Sequence, residues 1–190
     1  MDAFMNKVQL TYGYSDAQIK IIRYTLTALI YDISKLIIFF SVFFFMDKSI
    51  HFIFAICPLI LLRTKTGGLH LASYWSCFIT TLVYLYSAII LLPATVPLQP
   101  LAIYPILLIC AILCYLIGPN SLTRKIPSVK NYEKRAKLEA FQLVLIVGIL
   151  IFLFSANEYL IISFWTIVLH TFQLAIAKIV KEVRKNALSH

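Results

Sequence analysis

Charge is scarce in this chain, and acidic charge scarcer still: Asp and Glu number 8 against 17 Lys and Arg, and charged residues make up 13% of 190. A soluble domain carries roughly a quarter charged residues. With 61% hydrophobic side chains and a mean hydropathy of +0.89, the shortage excludes an ordinary water-soluble globule and requires lipid as the solvent. Apolar runs fill most of the length, which leaves no room for a second, soluble domain; residues 1–190 are expected to form one membrane-embedded domain. Cysteine pairs are also missing. The four cysteines Cys57, Cys77, Cys110 and Cys114 form no CxxC and share no loop, which argues against a disulfide framework or a zinc knuckle. No metal or cofactor is expected. Cys57, Cys110 and Cys114 lie in apolar runs, where free cysteine acts as a small hydrophobe. No cleavable signal peptide is expected, because the first apolar stretch starts after about twenty mixed residues and no small-residue cleavage site follows it. Internal repeats and low-complexity segments are absent. The net charge of +9 does not point to nucleic acid, because the basic residues have no folded soluble module around them.

What is present is a series of apolar runs. Tyr24 to Met46, Ile50 to Leu62, Phe78 to Leu92, Leu101 to Ile117, Ala140 to Ser155 and Tyr159 to Ala177 are candidate spans, each near or below the roughly 20 residues that cross a bilayer as helix. The second is the weakest by length. Only helices and closed barrels satisfy the backbone in lipid, so the expected fold is all-α, a polytopic membrane protein of about six spans. Placing the N-terminus in the cytoplasm leaves Lys48 as the sole basic loop residue outside, with Lys35 inside a span and all other Lys and Arg facing in. That split obeys the positive-inside rule and puts both termini on the cytoplasmic side of a bacterial cell membrane. Segments 1–23 and 178–190 are then cytoplasmic or interfacial.

Ser15 with Gln18 reads as a capping box after the breaker Gly13, and Phe4, Met5 and Val8 before it suit a short helix lying on the membrane surface. Asp32 and Lys35 stand three apart inside an apolar helix, a pattern expected of an intramembrane ion pair, with a role near substrate as the alternative. Residues 118–139 read as a basic cytoplasmic loop carrying Arg124, Lys125, Lys130, Lys134, Arg135 and Lys137, accounted for by topology and contact with anionic lipid. His170 is expected to be a packed, hydrogen-bonded residue.

Residues 63–77 differ from everything else in the chain. Here Arg63, Gly67, Gly68, His70, Ser73 and Cys77 occur together. The glycines allow positive φ and close approach of backbone. Ser73 can cap the next helix, leaving Cys77 at the end of its first turn, where unpaired N–H groups and the positive end of the helix favour a thiolate, as does a histidine accepting its proton. Seven residues along one helix would separate His70 from Cys77 by ~10 Å along the axis. A working pair therefore needs His70 to precede the helix, with the glycine turn folding it back. On residues alone, a core cysteine with an interfacial histidine remains the alternative.

An arginine, a glycine pair, a histidine one residue later and a cysteine seven beyond it, as at Arg63, Gly67, Gly68, His70 and Cys77, resembles the accessory gene regulator protein B (AgrB) family of membrane cysteine endopeptidases. Similar length, several spans, the Gly118-Pro119-Asn120 stretch and the basic loop after it extend the likeness. The resemblance implies His70 as catalytic base and Cys77 as nucleophile, with Arg63 and Gly68 needed for site shape or substrate binding. It further implies cleavage of a quorum-sensing precursor of the AgrD type, which has an amphipathic N-terminal helix and an acidic C-terminal tail. Cleavage would pass through an acyl thioester and end in a thiolactone or lactone ring. Arg124, Lys125 and Lys130 would then steer the acidic tail, and the protein would be a homodimer. The rival reading is a small peptide transporter in which Asp32, Lys35 and His170 line the path and His70 and Cys77 are incidental; a non-catalytic membrane scaffold is a third.

Overall fold

The computed structural model describes residues 2–68, 73–119, 130–154 and 157–187, and helices α1 to α8 account for nearly all of them. The chain divides into two compact units, Met1–Met46 and Asp47–His190. It is a multi-pass membrane protein: among the described residues five helices are long and apolar enough to cross a bilayer, and a shorter apolar helix accompanies them.

The first unit holds α1 (Asp2–Tyr12) and α2 (Asp16–Phe45). Gly13, at φ 65°, ends α1 with its N–H bonded to Gln9 O. The expected capping box forms: Gln18 N–H donates to Ser15 Oγ at 3.4 Å and Ser15 N–H donates to Gln18 Oε1 at 2.9 Å. Along α2 the hydroxyls of Thr25, Thr27 and Ser41 donate to carbonyls four residues back, which keeps these three donors from facing lipid unpaired. Lys35 Nζ lies 3.4 Å from Asp32 Oδ1.

The second unit contains α3 (Ser49–Thr66) and α4 (Tyr74–Tyr86), the latter continued by a π-helical turn (Ser87–Leu91) into the short α5 (Leu92–Thr95). After these come α6 (Pro100–Ile117), α7 (Lys130–Leu153) and α8 (Glu158–Ala187). The π turn directly precedes Pro93, whose missing N–H would otherwise break a regular ladder. Helix α8 is the centre: 61% of its most apolar stretch is buried, against 33% or less for α3, for α4 to α5 and for α7. It packs on α3, α6 and α7, while α6 packs on α7. Fully buried Ala88, Ala111, Ala140 and Ala177 let backbones approach closely, which is how helices associate when lipid removes the hydrophobic drive between them. Large apolar side chains such as Ile60, Val83, Ile109 and Phe152 point outwards, as a lipid-facing surface requires.

Two expectations need correction. The second span is the least apolar of the five long helices, at a mean hydropathy of 1.3, but it is longer than its apolar run; α3 runs on to Thr66, because Arg63 and Lys65 suit the negative end of the helix and the Thr64 and Thr66 hydroxyls bond back to Leu61 O and Leu62 O. The short one is the fourth, Leu101–Ile117. The basic loop is shorter than expected, because α7 begins at Lys130. Arg135 with Glu139 and Lys137 with Glu133 form pairs four apart on this first stretch, the spacing that supports a helix before its apolar run starts.

Candidate active site

The site begins where α3 stops. Gly67 takes φ 78° and ψ −156° and bonds its N–H to Arg63 O at 3.0 Å. That backbone region is essentially closed to residues with a side chain. Gly68 is buried, and a Cβ on it would meet Arg63 Nε at 3.3 Å and Cγ at 3.6 Å. The arginine side chain thus lies along the bare backbone of the second glycine. Residues 69–72, His70 among them, are outside the described residues.

Helix α4 starts at Tyr74, with Ser73 in an extended conformation at its N-cap position. Thus α3 has ended at Thr66 and Ser73 is not helical, while the expected fold-back of His70 lies outside the described residues. The expected cap bond from Ser73 is not made; instead Ser76 Oγ donates to Ser73 O at 3.1 Å. Cys77 sits at the end of the first turn, half-buried, with its N–H bonded to Ser73 O at 3.1 Å.

Cys77 and Arg63 line the same pocket. Its volume is about 10 Å³, room for about one water. Leu59 of α3 and Thr80, Thr81 and Tyr84 of α4 supply most of the remaining wall, and Gln173 reaches it from α8. Of these side chains, Thr81 Oγ1 donates to Cys77 O at 2.8 Å, and Tyr84 OH donates to Thr166 O at 2.5 Å. Gln173 has no hydrogen bond to any described residue.

Helix α8 turns one polar stripe towards α3 and α4. Ser163 Oγ donates to Phe54 O at 2.8 Å, Thr166 O accepts from Tyr84, and His170 Nε2 lies 2.8 Å from Thr66 Oγ1. Gln173 completes the series at the pocket. Thr66 already donates to Leu62 O at 2.9 Å, so its oxygen accepts from His170 and the imidazole proton is on Nε2. His170 Nδ1 and Thr166 Oγ1 are buried and have no hydrogen-bond partner among the described residues. His170 is packed and hydrogen-bonded, as expected; being 1% exposed, it does not line an open path.

The other candidate residues lie elsewhere. Asp32 and Lys35 pair within α2, the Asp32 side chain largely exposed. Arg124 and Lys125 are outside the described residues, and Lys130 opens α7. Cys57 is exposed on α3, while Cys110 and Cys114 are buried, with Cys114 Sγ 3.6 Å from Thr171 Oγ1.

A family model described as accessory gene regulator B matches residues 1–174. The chain belongs to the AgrB family. Membership ties it to the accessory gene regulator quorum-sensing system. A protein from Clostridium beijerinckii described as AgrB-like is 38% identical over 63 residues, 33% of this chain and 32% of the relative; the matched stretch thus spans about a third of that relative. No solved structure matches. Within this AgrB family chain, Thr66, Tyr84 and Gln173 escape a reading of sequence alone. The signal that could have found them is periodic: Ser163, Thr166, His170 and Gln173 recur at helical spacing in an otherwise apolar span, and polar residues in a span mark an interior face.

Proposed function

We propose that this protein is a membrane cysteine endopeptidase that cleaves a quorum-sensing precursor and promotes closure of its product into a thiolactone or lactone ring. The observation that carries the reading is that Cys77, at the first turn of α4, shares one small pocket with Arg63, whose side chain lies against Gly68. The extended backbone at Ser73, ahead of α4, supports a His70 that precedes the helix and folds back over the sulfur.

In this mechanism His70 takes the Cys77 proton, and the thiolate attacks a backbone carbonyl of the precursor. The tetrahedral intermediate collapses to a thioester on Cys77 as the C–N bond breaks, and His70 returns the proton to the departing amine. A cysteine or serine inside the peptide then attacks the thioester carbonyl, closing the ring and freeing Cys77. The small volume of the site, about 10 Å³, restricts water as the competing nucleophile. Arg124, Lys125 and Lys130 draw in the acidic tail of the precursor, and the protein acts as a homodimer with both termini and the catalytic segment in the cytoplasm. The export reading requires His170 on an open path, and its enclosure weighs against that.

The test is mass spectrometry of membranes carrying the protein incubated with synthetic precursors of the AgrD type. The proposal expects a Cys77-linked acyl species followed by a cyclic product lacking one water relative to the linear peptide. Linear hydrolysed peptide as the sole product would contradict ring closure, and cleavage indifferent to charge reversal at Lys125 and Lys130 would contradict steering of the tail.

A further inference from the structure

Resting on that reading of Cys77, we propose that Gln173 is a further catalytic residue, the side-chain donor that holds the oxygen of the carbonyl under attack. Acyl transfer builds negative charge on that oxygen, and fixed donors aimed at it usually supply the largest single part of the catalysis. The nearest backbone candidate is already occupied: Cys77 N–H bonds to Ser73 O at 3.1 Å. The pocket hydroxyls are nearly used up. Tyr84 OH donates to Thr166 O and Thr81 Oγ1 donates to Cys77 O, leaving only Thr80, which is exposed.

Gln173 differs from all of these. It arrives from a separate helix, is half-buried, and lines the same pocket as the sulfur. Its amide keeps both hydrogens uncommitted among the described residues, on the central and most buried helix of its unit. An uncommitted amide in such a helix is unfavourable unless something else binds it. The pocket volume of about 10 Å³ admits about one oxygen-sized group, so an oxygen placed there enters the cavity that Gln173 and Cys77 line together with Arg63. The turns below are also fixed: His170, three residues earlier, is held by Thr66.

The step balances as follows. The sulfur lone pair forms the C–S bond, and the carbonyl π pair moves onto oxygen. Gln173 Nε2–H donates to that oxygen. The pair then returns to re-form C=O as the C–N bond breaks, and the amine leaves with the proton from His70. Gln173 transfers nothing.

The experiment compares two reagents on the purified full chain in detergent. p-Nitrophenyl acetate acylates the thiol through an oxyanion, whereas iodoacetamide alkylates it by displacement with no charge on oxygen. In Gln173→Met and Gln173→Glu, which keep the side-chain length and remove the donor, acylation of Cys77 should fall about tenfold or more while alkylation stays within about twofold. Gln173→Ala is a third variant, and monodispersity on size exclusion confirms folding. Equal acylation in the Met and Glu variants, or a parallel fall in both reactions, would overturn the role of Gln173. Wild-type Cys77 acylating no faster than Cys57 would instead overturn the peptidase reading itself.

Discussion

Arg63 and Gly68 act as one fitting, because the arginine occupies space that any side chain on the glycine would take. A Cβ at Gly68 sits 3.3 Å from Arg63 Nε, so Gly68→Ala moves the guanidinium by tenths of an ångström without straining the backbone. The expected result is a protein of near wild-type stability with cleavage reduced about tenfold, in line with the sensitivity of catalysis to small misplacements. Gly67→Ala should behave in the opposite way. Its φ of 78° and ψ of −156° cost a side chain about 1–3 kcal/mol, and detergent-solubilised unfolding should show the loss directly. A second contrast concerns the Thr66–His170 bond. Thr66→Val strands a buried imidazole N–H and should cost about 1–3 kcal/mol, whereas His170→Phe removes the orphaned Nδ1 together with the bond and should cost about 1 kcal/mol or less. Equal losses would refute the assigned proton on Nε2. Much at this scale is legible in the sequence: Arg63, the glycine pair and Cys77 stand out as the one place where these residue types converge. The absence of a Ser73 side-chain cap is not legible, because residue type marks the N-cap position but not whether the hydroxyl turns to the first-turn N–H groups. Gln173 is hidden because it meets the pocket from 96 residues away from Cys77 in the chain, a tertiary fact that no local spacing records.

Helices extend past their apolar runs wherever charged residues can stabilise the extra turns. At the end of α3, Lys65 pairs with Glu139 of α7, which also holds Arg135. This cluster ties the helix that carries Arg63 to the one that follows the basic segment. Reversing either charge alone should lower the unfolding temperature in detergent, the double exchange Lys65→Glu with Glu139→Lys should recover part of it, and added salt should shrink the whole effect. A double variant no better than the worse single one would show that the pair does not couple the helices. Hydropathy locates all six apolar helices but misjudges their ends, since the apolar run marks the lipid-facing length and not the hydrogen-bonded one. Hence Lys130–Glu139 reads as loop and folds as helix. The capping box at Ser15 is correctly legible because it depends only on residues three apart. The π turn before Pro93 is not, because proline signals a break without specifying how the chain absorbs it.

For the whole molecule, the exclusion of soluble folds from a composition of 61% hydrophobic residues holds, and the division into Met1–Met46 and Asp47–His190 is what composition does not reveal. Both units are equally apolar in sequence, so only packing separates them. The expected even number of crossings would place both termini on one side; on that expectation reporter fusions at the N- and C-termini both report the cytoplasm, and opposite signals would contradict it. The four cysteines sample distinct environments in the same molecule, exposed at Cys57, half-buried at Cys77, enclosed at Cys110 and Cys114. They therefore supply internal controls for the central claim that Cys77 performs the chemistry. The decisive measurement is cleavage of a co-expressed precursor by wild type, Cys77→Ser and Cys57→Ser, each at matched membrane abundance. The account predicts that Cys77→Ser abolishes product while Cys57→Ser retains it; cleavage surviving in Cys77→Ser would contradict the claim.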